Sequence, residues 1–103
     1  MIFTPTTDGL GLGGAPLGNL FTAISEEDAH LLVQTAWSDG CRVFDTAPHY
    51  GNGLSEHRMG RALRQHGRSE FTLSTKVGRL LIPDPSAPRE QNSYVDVLPF
   101  RQA

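Results

Sequence analysis

The sequence predicts an α/β fold in which parallel strands alternate with helices. Short apolar runs that suit strands occur three times, and two stretches with helical periodicity separate them. Both helical stretches end near a glycine. Strands that alternate with amphipathic helices form right-handed βαβ units and a parallel sheet. The residues alone leave two architectures open, a closed (β/α)8 barrel and an open doubly wound sheet.

The first strand and the first helix are expected in the N-terminal part of the chain. Residues 10–14 are small and apolar and suit a short strand that leads into a loop. Ser25 is the expected N-cap of the helix, and the acids that follow it suit the positive end of the helix dipole. Gly40 is expected to end this helix as its C′ residue. The apolar face should consist of Ala29, Leu32, Val33, Ala36 and Trp37.

Two further strands each end on a charged residue. Residues 42–44 form the expected second strand, which ends on Asp45, and residues 71–75 form the third, which ends on Lys76. The carboxyl ends of parallel strands lie at one edge of a sheet, where ligands bind in both architectures. We therefore expect the two opposite charges to lie together, with Tyr50 in the loop between the strands.

The second helix is expected over residues 55–65, with Ser55 as its cap. Four arginines are expected to form a solvated face on and after this helix: Arg58, Arg61, Arg64 and Arg68. Beyond Lys76 the chain is rich in proline, which predicts a long irregular segment with one extended piece at residues 94–98.

Composition excludes several classes of protein. The net charge of −2 shows no basic excess that would favour nucleic acid, and no apolar run approaches the roughly 20 residues of a membrane helix. The single Cys41 rules out an internal disulfide, and the first eight residues do not resemble a signal peptide. A cytoplasmic location is expected. No metal is expected, because His49, Glu56 and His57 do not have the spacing of a helical metal pair.

A glycine-rich match near the N-terminus suggests a dinucleotide fingerprint. Gly9, Gly11 and Gly14 fit the pattern G-x-G-x-x-G. A helix should begin at the last glycine, but Pro16 follows almost at once. Asp45 also lies further along the chain than the roughly 20 residues at which the fingerprint places its acid. The pattern therefore argues against a Rossmann site.

Asp45, Tyr50 and Lys76 together would make a proton-transfer site. A phenol with an ordinary pKa near ~10 is a weak acid catalyst at neutral pH, but a neighbouring ammonium favours the phenolate. A carboxylate bound to the lysine would keep the lysine charged and oriented. The plainer alternative is a structural ion pair with a packed loop aromatic, and spacing alone leaves both interpretations open.

Several motifs resemble the aldo-keto reductase family. Residues 40–47 (GCRVFDTA), Tyr50 and residues 55–60 (SEHRMG) resemble its signature, and residues 74–79 (STKVGR) resemble its lysine strand. Residues 10–21 look like the branch of sugar dehydrogenases that act on L-fucose and related aldoses, to which pyridoxal dehydrogenases also belong. The similarity covers roughly residues 9–83.

The resemblance implies a (β/α)8 barrel that binds NAD or NADP without a Rossmann fold. By position, Tyr50 would be the general acid/base, and Lys76 and Asp45 would tune it. Near the nicotinamide ribose the resemblance places Gly13, Gly14, Ala15 and Asp45. The implied substrate is a small carbonyl or sugar, most simply an aldose oxidised at its anomeric carbon. Apart from the resemblance, the position of His49 next to Tyr50 suggests that it lines a substrate pocket, and the plainer alternative is a solvated loop histidine.

One departure from the family pattern is clear. The family has a catalytic histidine at the end of its fourth strand, whereas the last histidine of this chain is His66. The chain is therefore expected to be the N-terminal βαβαβ portion of the barrel, about three of eight strands in one domain, and to be inactive alone. The alternative function is a non-catalytic binding or regulatory subunit with the same fold. The oligomeric state is not predicted.

Overall fold

The computed structural model describes residues 11–78 and 80–102, and a three-stranded parallel sheet lies at its centre. The strands are β1 (Gly11–Gly13), β2 (Val43–Asp45) and β3 (Thr72–Ser74), in the spatial order β1-β2-β3. Gly13 is paired with Asp45, and Asp45 with Ser74, so all three carboxyl ends lie at one edge. The predicted α/β class with parallel strands is confirmed. Gly9 and Leu10 lie outside the described residues.

The first helix, α1 (Glu26–Ser38), has the predicted start and end. The Ser25 side chain accepts a hydrogen bond from the Asp28 backbone N–H at 3.0 Å, as expected of an N-cap. Gly40 follows the helix with φ +98°, a conformation that favours glycine. Ala29 and Val33 are buried, but Leu32 is 36% exposed. The buried stripe of α1 is therefore narrower than the predicted apolar face.

The second helix, α2 (Leu54–Leu63), begins one residue before the predicted Ser55. Gly53, with φ +96°, is the N-cap, and its left-handed backbone turns the loop into the helix. Ser55 is completely buried inside the first turn, so its prediction as a cap is wrong. Arg58 is also buried, and the prediction that it lies on a solvated face is wrong. One-turn 3-10 helices cover Ala15–Gly18 and Arg68–Glu70.

The hydrophobic core lies between the sheet and the two helices. Phe44 of β2 is fully buried. Trp37 and Phe71 are partly buried at the border of the core, and the ring of each contacts the ring of Phe44. The buried cluster consists of Leu17, Ala29, Val33, Cys41, Phe44, Met59, Ala62 and Leu63. The core fixes both helices on the sheet and so sets the position of the loops at its carboxyl edge.

The segment after Lys76 contains structure that the sequence did not predict. Strands β4 (Leu81–Pro83) and β5 (Phe100–Gln102) form a separate antiparallel pair. Pro83 is the last residue of β4, at the end of a two-stranded sheet where its missing N–H is tolerated. The predicted extended piece at residues 94–98 is not a strand, although Tyr94 forms isolated bridges. Within the described residues, no helix is long and apolar enough to cross a membrane.

Candidate active site

Asp45 ends β2 with its carboxylate held by donors from β3 and the residues after it. Its Oδ1 accepts a hydrogen bond from the Ser74 hydroxyl at 2.9 Å, and its Oδ2 lies 3.3 Å from Lys76 Nζ. The Asp45 side chain is 18% exposed. This mostly covered carboxylate at a strand end is thus compensated by a hydroxyl and an ammonium.

Lys76 connects this carboxylate to the tyrosine. Its Nζ donates to the Thr46 carbonyl at 3.2 Å and lies 3.5 Å from the Tyr50 hydroxyl oxygen. Burial acts to lower the pKa of Lys76, but the hydrogen bonds to Asp45 and Tyr50 outweigh this effect and hold the pKa above its usual value. The amine is therefore a cation throughout the neutral pH range.

The loop that carries Tyr50 is fixed by its backbone. The Tyr50 N–H donates to the Ala47 carbonyl at 3.2 Å, and the Tyr50 carbonyl accepts from the Ser55 N–H at 3.1 Å. Gly18 packs directly against this backbone, since a Cβ added at Gly18 would lie 2.4 Å from the carbonyl carbon of Tyr50. The first βα loop (residues 14–25) therefore touches the loop that carries Tyr50 (residues 46–53, here called the tyrosine loop) without side chains between them.

Within the described residues, two aromatic rings contact the Tyr50 ring. His49 meets it edge-on with 4.8 Å between the ring centroids, and Tyr94 stacks on it at 5.9 Å and 26°. Sequence reasoning missed Tyr94 as a site residue, because its signal is no more than an aromatic in a proline-rich segment. Burial raises the pKa of Tyr94, and the nearby Tyr50 adds to that shift.

The three small residues that follow β1 have different surroundings. The Gly14 N–H donates to the Asp45 carbonyl at 2.7 Å, and a Cβ at Gly14 would lie 2.6 Å from Ser55 Oγ. Ala15 begins the first 3-10 helix. A Cβ at Gly13 would meet nothing within 4 Å. Gly13 therefore faces open space beside the end of β2, whereas Gly14 is needed for close packing.

Ser55 links three segments at this edge. Its hydroxyl donates to the Gly14 carbonyl at 2.6 Å, so the Thr46 hydroxyl, 2.7 Å away, donates to Ser55 Oγ. All of these groups are buried. The first turn of α2 is therefore joined to the first βα loop and to the end of β2.

Arg58 holds the same first loop from one helical turn further along. Its guanidinium donates to Glu26 Oε1 at 2.6 Å and to Asn19 Oδ1 at 2.9 Å. It also donates to the carbonyls of Leu17 and Ile24 at 3.1 and 2.9 Å. The hydrogen bond from Arg58 holds the pKa of Glu26 below its usual value.

The edge fits the nicotinamide end of the cofactor that the family resemblance implies. Open space lies beside Gly13, which is paired with Asp45, and the Lys76–Tyr50 pair offers a proton donor at the same edge. In the described part of the chain, the Lys76 cation at this edge is already paired with Asp45, so these residues suit the nicotinamide end of the cofactor better than its phosphates. Among residues 11–78 and 80–102, no three His, Cys, Asp or Glu side chains are grouped to hold a metal.

Comparison with known proteins gives a consistent set of similarities. The model of the aldo/keto reductase family matches residues 9–97. The chain is 54% identical over 76 residues to D-threo-aldose 1-dehydrogenase of a Pseudomonas species, which covers 74% of this chain and 23% of that protein. It is 47% identical over 76 residues to pyridoxal 4-dehydrogenase of Microbacterium luteolum, with 74% and 22% covered.

A solved structure agrees with these matches. The glycerol dehydrogenase of Gluconobacter oxydans superposes with a TM-score of 0.58 and 29% identity, over 72% of this chain and 23% of that one. The chain thus spans 22–23% of the length of these three proteins.

Proposed function

Because the chain belongs to the aldo/keto reductase family, we propose that it carries the proton-transfer centre of a nicotinamide-dependent oxidoreductase. Its parallel strands and two helices form a βαβαβ portion of the (β/α)8 barrel. Oxidoreductase activity is supported by the dehydrogenases that it resembles. The observation that carries the proposal is the single ammonium of Lys76, which contacts both the Asp45 carboxylate and the Tyr50 hydroxyl.

Tyr50 is proposed as the general acid/base. Its hydroxyl gives a proton to a carbonyl oxygen in the reductive direction, and its phenolate takes one from a hydroxyl in the oxidative direction. Lys76, as a cation 3.5 Å from that oxygen, stabilises the phenolate. Asp45 keeps Lys76 oriented through the 3.3 Å contact.

NAD or NADP would supply or accept the hydride when bound. Gly13, Gly14, Ala15 and Asp45 are proposed to hold its nicotinamide ribose. Support for this placement comes from the open side of Gly13 beside the end of β2, and from Gly14, whose N–H already fixes the loop on Asp45.

The proposed substrate is an aldose that is oxidised at its anomeric carbon. The support is the 54% identity to a D-threo-aldose 1-dehydrogenase. In this reaction the anomeric hydroxyl would give its proton to the Tyr50 phenolate and the anomeric carbon would give its hydride to the bound nicotinamide, so that a cyclic aldose becomes a lactone. His49 is proposed to line the sugar pocket, because its ring meets the edge of Tyr50.

The test is turnover by the complete protein that contains this chain. L-fucose and pyridoxal are offered with NAD and with NADP, and reduced nicotinamide is followed by its absorbance. We expect oxidation of L-fucose, and we expect Tyr50→Phe to lower kcat by about 10²–10⁴ with an unchanged melting temperature. Near-wild-type turnover in Tyr50→Phe would remove Tyr50 from the mechanism.

The same experiment distinguishes the proposed enzyme from the alternative, a subunit without catalytic activity. Nucleotide binding without turnover of any carbonyl or hydroxyl substrate would support a non-catalytic binding or regulatory subunit. The 103-residue chain alone is expected to show no turnover. A cytoplasmic location stays a prediction, which fractionation of the source cells would check.

A further inference from the structure

Residues 91–100, here called the returning segment, are tied by hydrogen bonds to both loops that form the candidate site. Two bonds join it to the first βα loop, from the Val95 N–H to the Asn19 carbonyl at 3.0 Å and from the Phe21 N–H to the Ser93 carbonyl at 2.7 Å. Two more join it to the tyrosine loop, from the Leu98 N–H to the Gly51 carbonyl at 3.2 Å and from the Asn52 amide to the Phe100 carbonyl at 2.9 Å. The returning segment therefore bridges the two loops.

A tight turn presents Tyr94 from this segment. The N–H and carbonyl groups of Gln91 and Tyr94 exchange two hydrogen bonds, both at 2.9 Å. Asn92 and Ser93 between them have φ values of +50° and +70°. Positive φ at both central residues is the pattern of a type I′ turn, which is unusual for serine. The turn therefore keeps a costly backbone geometry directly before Tyr94.

Tyr94 is 7% exposed and lies against the Tyr50 ring. A centroid separation of 5.9 Å with 26° between the planes is an offset stack, one of the arrangements that aromatic pairs favour. Of the ring neighbours of Tyr50 that the structure describes, Tyr94 is buried, His49 is half-buried and Lys76 is 47% exposed. Tyr94 is thus the most buried of these three neighbours, and its ring is the one best held in place against the Tyr50 ring.

The hydrogen bond at the tip of Tyr50 is long. Its oxygen lies 3.5 Å from Lys76 Nζ, which is near the limit for such a bond. That contact alone does not fix the plane of the phenol ring. The backbone of the tyrosine loop is fixed, so the remaining freedom is rotation of the side chain, and the stack on Tyr94 restricts that rotation.

We propose that Tyr94 is a positioning residue that holds the Tyr50 ring by stacking, so that the Tyr50 hydroxyl stays beside Lys76. This inference rests on the proposed function of Tyr50. In this proposal the returning segment holds the first βα loop and the tyrosine loop together through its hydrogen bonds to both. The flat ring of Tyr94 is the part that acts, and its hydroxyl is not required.

The test compares three variants in the complete protein, with L-fucose oxidation as the assay. Tyr94→Phe keeps the ring, Tyr94→Leu keeps apolar volume without a flat face, and Val97→Ala loosens the same segment at a buried site. We expect Tyr94→Phe to retain kcat within about threefold and Tyr94→Leu to lose roughly tenfold to a hundredfold in kcat with little change in KM. Val97→Ala should lower the melting temperature while it keeps kcat.

The outcomes separate this inference from the proposed function. Wild-type kcat in Tyr94→Leu, or an equal loss of kcat in Tyr94→Phe and Tyr94→Leu, would overturn the role of the stacked ring. A loss in Val97→Ala as large as that in Tyr94→Leu would show that general loosening of the segment explains the effect, and would also overturn it. If Tyr50→Phe retains turnover, the proposed function itself fails, whatever Tyr94 does.

Discussion

Arg58 and Arg61 both contact the carboxylate of Glu26, but Arg58 is buried and Arg61 is exposed. The Arg58 side chain is 7% exposed and makes its contact at 2.6 Å, whereas the Arg61 side chain is 61% exposed and lies at 3.6 Å. An exposed ion pair contributes little to stability because water and salt screen it. A buried guanidinium is different, because its removal strands the acceptors that it served.

Replacement of these two arginines should therefore have unequal effects on stability. Arg58→Met leaves Leu17, Asn19 and Ile24 without their shared donor. We expect it to lower the free energy of unfolding by roughly 2–4 kcal/mol. Arg61→Met, the matched control, should change it by less than about 0.5 kcal/mol. Denaturant unfolding of the complete protein measures both, and equal effects would contradict the structural role of Arg58.

Acid should weaken the fold through Glu26. The lowered pKa of Glu26 means that the folded state favours its carboxylate, chiefly through the hydrogen bond from Arg58. Its contribution to stability is complete above the ordinary value near 4.5 and is lost as the pH falls through the lower folded value. We expect wild type to be more stable than Glu26→Gln at neutral pH. Thermal melts at decreasing pH should show this difference narrowing below about pH 4.5, and a constant difference would refute the linkage.

One of the close contacts between elements at the site depends on glycine at position 18. A Cβ at Gly18 would lie 2.4 and 2.5 Å from the carbonyl carbon and oxygen of Tyr50. These are backbone atoms of a fixed loop, so they cannot move aside as a flexible side chain would. The first βα loop can approach the tyrosine loop this closely at Gly18 because that residue has no side chain.

Two glycine substitutions test this contact. Gly18→Ala should destabilise the protein by roughly 1–3 kcal/mol and lower turnover, because Tyr50 must shift. Gly60→Ala is the matched control. Gly60 lies in α2, and a Cβ added there would meet nothing within 4 Å. This substitution should stabilise the protein by about 0.5–1 kcal/mol. Unfolding curves and kcat are measured for both, and a neutral Gly18→Ala would disprove the close approach.

The sequence predicted the elements that depend on local pattern. The cap at Ser25, the stop at Gly40 and the strands that lead to Asp45 and Lys76 follow from periodicity and from residues close in sequence. Parallel order then placed Asp45 and Lys76 at one edge. The burial of Arg58 could not be predicted in this way, because its acceptors lie more than thirty residues away along the chain.

Tyr94 and Ser55 illustrate the same limit. Ser55 has the residue type and position of a cap, but Gly53 turns the chain earlier and is the N-cap. The Ser55 hydroxyl donates to the carbonyl of Gly14 instead. Tyr94 meets Tyr50 only because a loop returns across the site through backbone hydrogen bonds, which carry no side-chain pattern. Both contacts depend on tertiary geometry.

At the scale of the whole molecule, the site is assembled from the ends of consecutive elements. The β2 end supplies Asp45, the loop after it supplies Tyr50, and the chain after β3 supplies Lys76. Because the strands are parallel and in register, these ends share one edge. The returning segment then joins the first βα loop to the tyrosine loop. The three groups are therefore expected to act as one unit rather than as separate contributors.

A double-mutant cycle of Tyr50→Phe and Lys76→Met in the complete protein tests this central claim most directly, with kcat for L-fucose oxidation as the measurement. We expect each single variant to lose about 10²–10⁴ in kcat, and the double variant to lose little more than the worse of the two. Losses that simply multiply in the double variant, or a single variant that keeps its turnover, would contradict the account.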